Sequence, residues 1–313
     1  MSTKDTLAKD YMSNNERFAD LFNFLLFNGE KVIKAEDLTV QDPTEVISLG
    51  EGAGLLQEQR PRDLLKNATL MKDDSCYYVL LGLENQSDIQ YAMPVKALLY
   101  DVLNYGRQVK NISSNHKELR DIKGREFISG FSKTDKIIPI ITLTVYWGSE
   151  EWDAPRCLHD MMVIPEGLEK FVNDYKLNLI IPREVADSDF EKLTTELRLV
   201  LSFLKTVNDP DATKQLVESD EGFKNVTGDT VNMLNIYGNA KFKRVKNQEV
   251  INVCDVFEEI EKMAKAEGKI EGKIEGAVEA VDRLTKDAGM TLQTACKFAG
   301  ITPEEYESFK KIK

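Results

Sequence analysis

The stretch RDLLKNATLMKDDSCYYVLLGLENQ, from Arg62 to Gln86, decides the fold. Arg62–Met71 and Cys76–Gln86 read as extended segments around the polar turn Lys72-Asp73-Asp74-Ser75, and the second contains the apolar run Tyr77-Tyr78-Val79-Leu80-Leu81. A symmetric hairpin centred between Asp73 and Asp74 pairs residues whose numbers sum to 147. Asp63 then faces Glu84, with side chains roughly 5 Å apart, and Gln86 shares that face. Two carboxylates this close repel unless protonated or bridged by a cation, so the pair predicts a divalent-metal site with oxygen ligands. A slip of one residue would send them to opposite faces. The run Val79-Leu80-Leu81-Gly82-Leu83, apolar on both faces, predicts a central strand covered by helices. A carboxylate at the end of such a strand is costly without a partner.

Outward from the hairpin, Asn14–Phe27 has a helical stripe of Phe18, Leu21, Phe22, Leu25 and Leu26, with Glu16 and Asp20 on its other face. Ala92–Val109 reads as a second helix, with Pro94 in its first turn, a stripe of Val95, Leu98, Leu99, Val102 and Leu103, and Lys96 and Tyr100 one turn apart off that stripe. Lys136–Trp147, long and β-branched, predicts a buried strand in which Pro139 removes one ladder bond. Leu177–Pro182 is a further short strand. Gly148–Pro165 reads as an irregular surface segment in which His159 and Asp160, as sequence neighbours, make a poor catalytic pair. Phe190–Val207, with leucines at 193, 197, 201 and 204, predicts one packing helix, followed by shorter helices to about Tyr237. These either cover the sheet or contribute to a dimer contact.

At this point the residues resemble a family. Asp63, the apolar strand ending in Glu84-Asn85-Gln86-Ser87, and Met93-Pro94-Val95-Lys96-Ala97-Leu98-Leu99-Tyr100 are similar to the PD-(D/E)XK nuclease family of putative transposases, also called recombination-promoting nucleases. The resemblance covers roughly residues 10–240. It implies an α/β fold, a restriction-endonuclease-like mixed sheet flanked by helices, here with a helical C-terminal extension. It also implies DNA endonuclease activity with Mg2+ or another divalent cation held by Asp63, Glu84 and the Asn85 backbone carbonyl. Glu16-Arg17-Phe18-Ala19-Asp20 resembles the family's opening motif, which offers Asp20, with Glu16 behind it, as a further metal ligand. Lys96 and Tyr100 are implied to face the site as catalytic residues. Gln86 departs from the superfamily lysine at its position, removing a positive charge that would stabilise the phosphate or the attacking hydroxide. Lys96 is the candidate replacement. The alternative is a weak or inactive nuclease-fold protein that binds DNA or protein for a mobile element.

The net charge of −12 opposes nucleic-acid binding at long range. Residues 105–136, however, hold eight basic side chains against four acidic ones, and Lys241–Lys246 holds four basic residues in six. Four dispersed cysteines without a CxxC pair, together with two histidines, argue against a zinc site. No apolar run suits a membrane span and the N-terminus lacks a secretory h-region, so the expected location is cytoplasmic.

From about Val250 a long polar helix is expected, carrying the repeat Glu267-Gly268-Lys269-Ile270-Glu271-Gly272-Lys273-Ile274. Each of its glycines costs about 1 kcal/mol relative to alanine, so it reads as a solvated linker or as a weak homo-oligomer contact along Ile270, Ile274 and Val278. Thr291–Lys311 predicts two short helices around an N-cap at Thr302. Glu304, Glu305 and Glu307 favour a capping hairpin or protein-binding tail over a DNA-reading helix. The expected division is a nuclease core over 1–150, its mostly helical continuation over 151–248, the polar helix over 249–290 and the hairpin over 291–313.

Overall fold

The computed structural model describes residues 3–41, 44–47, 58–61, 63–72, 75–240, 242 and 250–312. The chain forms two compact units, residues 1–251 and 252–313. The first begins with α1 (Thr3–Ser13) and α2 (Asn15–Phe27). Asn14 caps α2 by accepting the N–H groups of Glu16 and Arg17. Gly29, just beyond α2, has φ +90°, and a Cβ there would lie 2.7 Å from the Cβ of Lys192, so both conformation and packing select glycine. Strands β1 (Leu38–Val40), β2 (Thr44–Ile47), β3 (Glu58–Pro61), β4 (Leu64–Lys72) and β5 (Ser75–Gln86) follow.

The chain then crosses through α3 (Met93–Leu119) and α4 (Gly124–Ser129) to β6 (Ile140–Tyr146) and β7 (Asn178–Ile180). The unit closes with α5 (Asp187–Phe190), α6 (Leu197–Thr206), α7 (Pro210–Ser219), β8 (Val226–Thr227), α8 (Gly228–Tyr237) and β9 (Val250–Ile251).

The main sheet has the order β1-β4-β5-β6-β7. The pairs β1/β4 and β4/β5 are antiparallel, whereas β5/β6 and β6/β7 are parallel, so the sheet is mixed and β5 is central. A parallel β5/β6 pair requires a crossover, which α3 supplies. The hairpin adopts the register read from its turn, with Leu64 opposite Leu83 and Lys72 opposite Ser75. Alternation along the strands then separates two buried faces. Leu64, Ala68, Leu81, Leu83, Leu143 and Val145 pack beneath α2, α6 and α8, while Leu65, Leu80 and Ile140 pack with Tyr105 of α3. Lys66 is 1% exposed on the first of these faces. It donates to Ser13 O and Asn15 Oδ1, both at 2.7 Å, which fastens β4 to the junction of α1 and α2.

Several expectations need correction. The β6 strand starts at Ile140, because residues 136–139 form an extended approach in which Pro139 O accepts the N–H of Leu80. Phe190–Val207 is not one helix: α5 and α6 are separated at residues 191–196, where Thr194 and Thr195 turn toward Asp20. Trp152, within the segment expected at the surface, is buried, because its ring packs edge-on against Tyr146 and its indole N–H donates to Ala154 O. The basic run 241–246 lies outside the described residues except for Phe242, which is buried.

In the second unit α9 (Val253–Lys286) is continuous through the glycine repeat, followed by α10 (Leu292–Ala299) and α11 (Pro303–Ile312). Val278 and Val281 of α9 pack with Ala295, Cys296 and Tyr306. Thr302 Oγ1 accepts the N–H of Glu305 and Glu305 Oε2 accepts that of Thr302, a reciprocal capping box. The two short helices therefore fold back on the end of α9. The Ile270 side chain of the expected contact stripe lies outside the described residues. Among the described residues, no helix is long and apolar enough to cross a membrane.

Candidate active site

The register that pairs Leu64 with Leu83 carries Asp63, one residue before β4, across from Glu84 near the end of β5. Asp63 is 8% exposed and Glu84 1%. Asp63 Oδ2 accepts the backbone N–H of Asn85 at 2.8 Å, which ties the entry of β4 to the exit of β5. Burial raises the Asp63 carboxyl pKa, and the Asn85 N–H together with the charges of Lys96 and Lys9 opposes that rise. Asn85 points its side chain to the opposite face, where Oδ1 accepts the indole N–H of Trp147 at 3.0 Å. The peptide between Glu84 and Asn85 is therefore held from both sides of the sheet.

Pro94 sits in the first turn of α3, and the helix start lays Lys96 against the sheet end. Lys96 Nζ is 3.0 Å from Glu84 Oε2 and 6.0 Å from the ring centre of Tyr100, which is buried. Gln86 follows Glu84 on the same face, half-buried and level with Tyr146 in the parallel register. One turn further along α3, Asp101 accepts Thr142 Oγ1 at 2.5 Å and Tyr175 OH at 2.6 Å, which anchors the helix over β6.

The structure thus brings together Asp63, Glu84, Asn85, Gln86, Lys96 and Tyr100. Asp20 is engaged elsewhere, since its carboxylate accepts both N–H and hydroxyl groups of Thr194 and Thr195 at 2.7–3.1 Å. Among the described residues, no group of three or more His, Cys, Asp or Glu side chains is placed to hold a metal ion. Two carboxylates and a backbone carbonyl nevertheless suit magnesium, which binds through one or two carboxylates, keeps several waters and takes the rest from substrate phosphate. His159 and Asp160 do not face each other: His159 Nε2 meets Val172 O, and Asp160 accepts the N–H groups of Arg156 and Cys157.

Sequence reasoning missed the contribution of α1. Asp5 Oδ1 accepts the hydroxyl of Ser87 at 2.8 Å, and Ser87 lies 3.0 Å from the hydroxyl of Tyr237, which donates to Lys4 O at 2.9 Å. This network seats α1 against the end of β5 and brings Lys9, one turn beyond Asp5, within electrostatic reach of Asp63. Nothing in the local pattern of a polar N-terminal stretch signals that placement.

Fold and site together define a mixed α/β protein whose central hairpin presents a buried carboxylate pair under a lysine-bearing helix. A family model described as "Putative transposase, YhgA-like" matches residues 3–230, and the chain belongs to that family, which is of the PD-(D/E)XK type. No curated protein and no solved structure matches the chain.

Proposed function

We propose that this protein is a divalent-metal-dependent DNA endonuclease with a restriction-endonuclease-like core, acting in recombination or transposition. The observation that carries the reading is the buried pair Asp63 and Glu84 at adjacent strand ends, joined through Asn85 N–H and faced by Lys96. Membership of a transposase family points the same way, toward a nucleic-acid substrate. Asp63, Glu84 and the Asn85 carbonyl would hold Mg2+. Once bound, the ion supplies Lewis acidity toward the scissile phosphate and a water of lowered pKa. Gln86, on the face of Glu84, orients a water or a phosphate oxygen by hydrogen bonding. Lys96 provides the positive charge that Gln86 lacks, and Lys9 adds a second cation from α1. Tyr100 backs Lys96 from one turn away.

The test is supercoiled plasmid incubated with the protein and magnesium, beside Asp63→Ala and an EDTA control. Nicking is expected from the parent alone; equal nicking in all three would remove the nuclease reading. A second reading is a weak or inactive nuclease fold that only binds, and the closed ion pair between Lys96 and Glu84 favours it. Magnesium-dependent stabilisation without nicking, at any enzyme concentration, would select that reading.

A further inference from the structure

We propose that the C-terminal half of α3, with α4 and the loop after it, forms an arm that grips the phosphate backbone of duplex DNA about one helical turn from the carboxylate pair. The choice of duplex over other polyanions rests on the DNA-cleaving function proposed for the carboxylate site; the arm itself rests on geometry. The α3 helix spans 27 residues. Gln108 ties it to the approach to β6, donating to Ile138 O at 3.1 Å and accepting Ile138 N–H at 2.6 Å. From there to Leu119, which is 71% exposed, the helix runs on for about 16 Å at 1.5 Å per residue. The α4 helix folds back on this extension, since a Cβ at Gly130 (φ +69°) would lie 2.3 Å from Ser113 Oγ.

Lys110, Lys117, Arg120, Lys123, Arg125 and Lys133 are all exposed here, and among the described residues none of them closes an ion pair. The acids of the same stretch are largely engaged. Asp121 and Asp135 clasp the His116 ring at 2.6 and 2.9 Å, and Asp135 also accepts Ser132 N–H. Glu126 accepts Ser132 Oγ and Lys133 N–H. The clasp holds His116 toward its charged form, since both carboxylates raise its pKa. The cations consequently face solvent while most of the local anions are tied to an imidazole and to backbone. In a chain of net charge −12 this concentrates attraction for a polyanion in one place. Spacing points the same way. Lys96, at Glu84, and Lys117 are separated by about 32 Å along one helix, close to the roughly 34–36 Å over which a duplex presents the same face again.

The experiment uses the full chain, a 30-base-pair duplex of arbitrary sequence (roughly three helical turns) and no divalent metal, so that binding is read apart from cleavage. The logarithm of affinity is followed against the logarithm of salt concentration for the parent, for the triple variant Lys117→Ser, Lys123→Ser, Lys133→Ser, and for Lys170→Ser, an exposed lysine outside the arm. Neutralising three phosphate contacts should flatten the slope by about 2.7, at roughly 0.9 per contact, and weaken binding, whereas Lys170→Ser should leave the slope unchanged. Melting curves confirm that the triple variant is folded. An unchanged slope and affinity in the triple variant would overturn the arm, as would parent protein that binds anionic vesicles but not the duplex. A flattened slope together with failed plasmid nicking would keep the arm and reject the nuclease.

Discussion

Asp63 Oδ2 accepts the backbone N–H of Asn85 at 2.8 Å, so the carboxylate assigned to metal binding also fastens the two strand ends that form the site. Two substitutions separate these roles. Asp63→Asn keeps an acceptor and loses the charge, whereas Asp63→Ala leaves a buried N–H without its acceptor, at a cost of about 1–3 kcal/mol. Burial raises the Asp63 pKa, so the charged form is disfavoured in the fold. The favourable contribution of this group is present at low pH and is lost as pH rises through the raised value. In EDTA, Asp63→Asn should therefore gain stability relative to the parent as pH rises from the ordinary carboxylate value through the raised one. Magnesium should raise the parent melting temperature at neutral pH, less so as acid protonates Asp63, and should not move either variant. A magnesium shift that persists in Asp63→Ala would dismiss the assigned ligand.

Lys96 competes with any cation for Glu84, because its Nζ lies 3.0 Å from a carboxylate that is 1% exposed. Lys96 itself is only partly covered, so its loss should cost less than the 3–5 kcal/mol of a fully buried pair, about 1–3 kcal/mol without metal. Lys96→Ala should show a larger magnesium-induced rise in melting temperature than the parent, since the ion then restores charge that lysine had supplied. Plasmid nicking should fall at least tenfold, about 1.4 kcal/mol of transition-state stabilisation. Nicking at the parental rate would show that Lys96 does not replace the charge missing at Gln86.

Asp63 and Glu84 were legible because hairpin register follows from a symmetric turn and a period of two, both local properties of residues 62–86. The start of α3 was legible through Pro94, but its inward face was not: Val95 and Val102 of the apolar stripe expected to pack on the sheet are exposed, and Met93, Ala97, Tyr100, Asp101 and Asn104 are buried instead. Other features depend on partners distant in the chain. Lys9 and Tyr237 reach the end of β5 through packing of α1 and α8, for which the sequence has no local sign. Leucines 193, 197, 201 and 204 keep helical spacing across residues 191–196, where the backbone leaves the helix to bind Asp20. Lys66 falls on a core-facing position of β4, where alternation alone calls for an apolar side chain.

Asp20 illustrates how an acid on a helix is claimed by structure. Its carboxylate accepts two N–H and two O–H groups at the break before α6, from residues more than 170 positions away. Asp20→Ala should destabilise the fold by about 3 kcal/mol, from several lost hydrogen bonds to a charged acceptor, while leaving the magnesium-induced shift in melting temperature intact. Asp20→Asn should recover part of the loss. An Asp20→Ala protein of parental stability that no longer responds to magnesium would instead return Asp20 to the metal site.

Lys66 provides a test of the scaffold beneath α1 and α2. Its ammonium donates to Ser13 O and Asn15 Oδ1 and lies 4.4 Å from the ring centre of Phe18. Burial pushes its pKa down to about 8. Between that value and the ordinary ~10.4, the unfolded chain keeps the proton that the folded chain has released, so folding stability rises with pH across this window. Lys66→Met cannot titrate and lacks the effect. Chemical denaturation of both proteins at several pH values should show the parent gaining on Lys66→Met from pH 8 upward, by at most ~3 kcal/mol at about 1.4 kcal/mol per unit. Below pH 8 the difference should be flat, because both states of the parent are then protonated. A flat difference across the alkaline window as well would mean that the Ser13 and Asn15 acceptors offset the burial of the ammonium, leaving its proton as firmly held as in the unfolded chain.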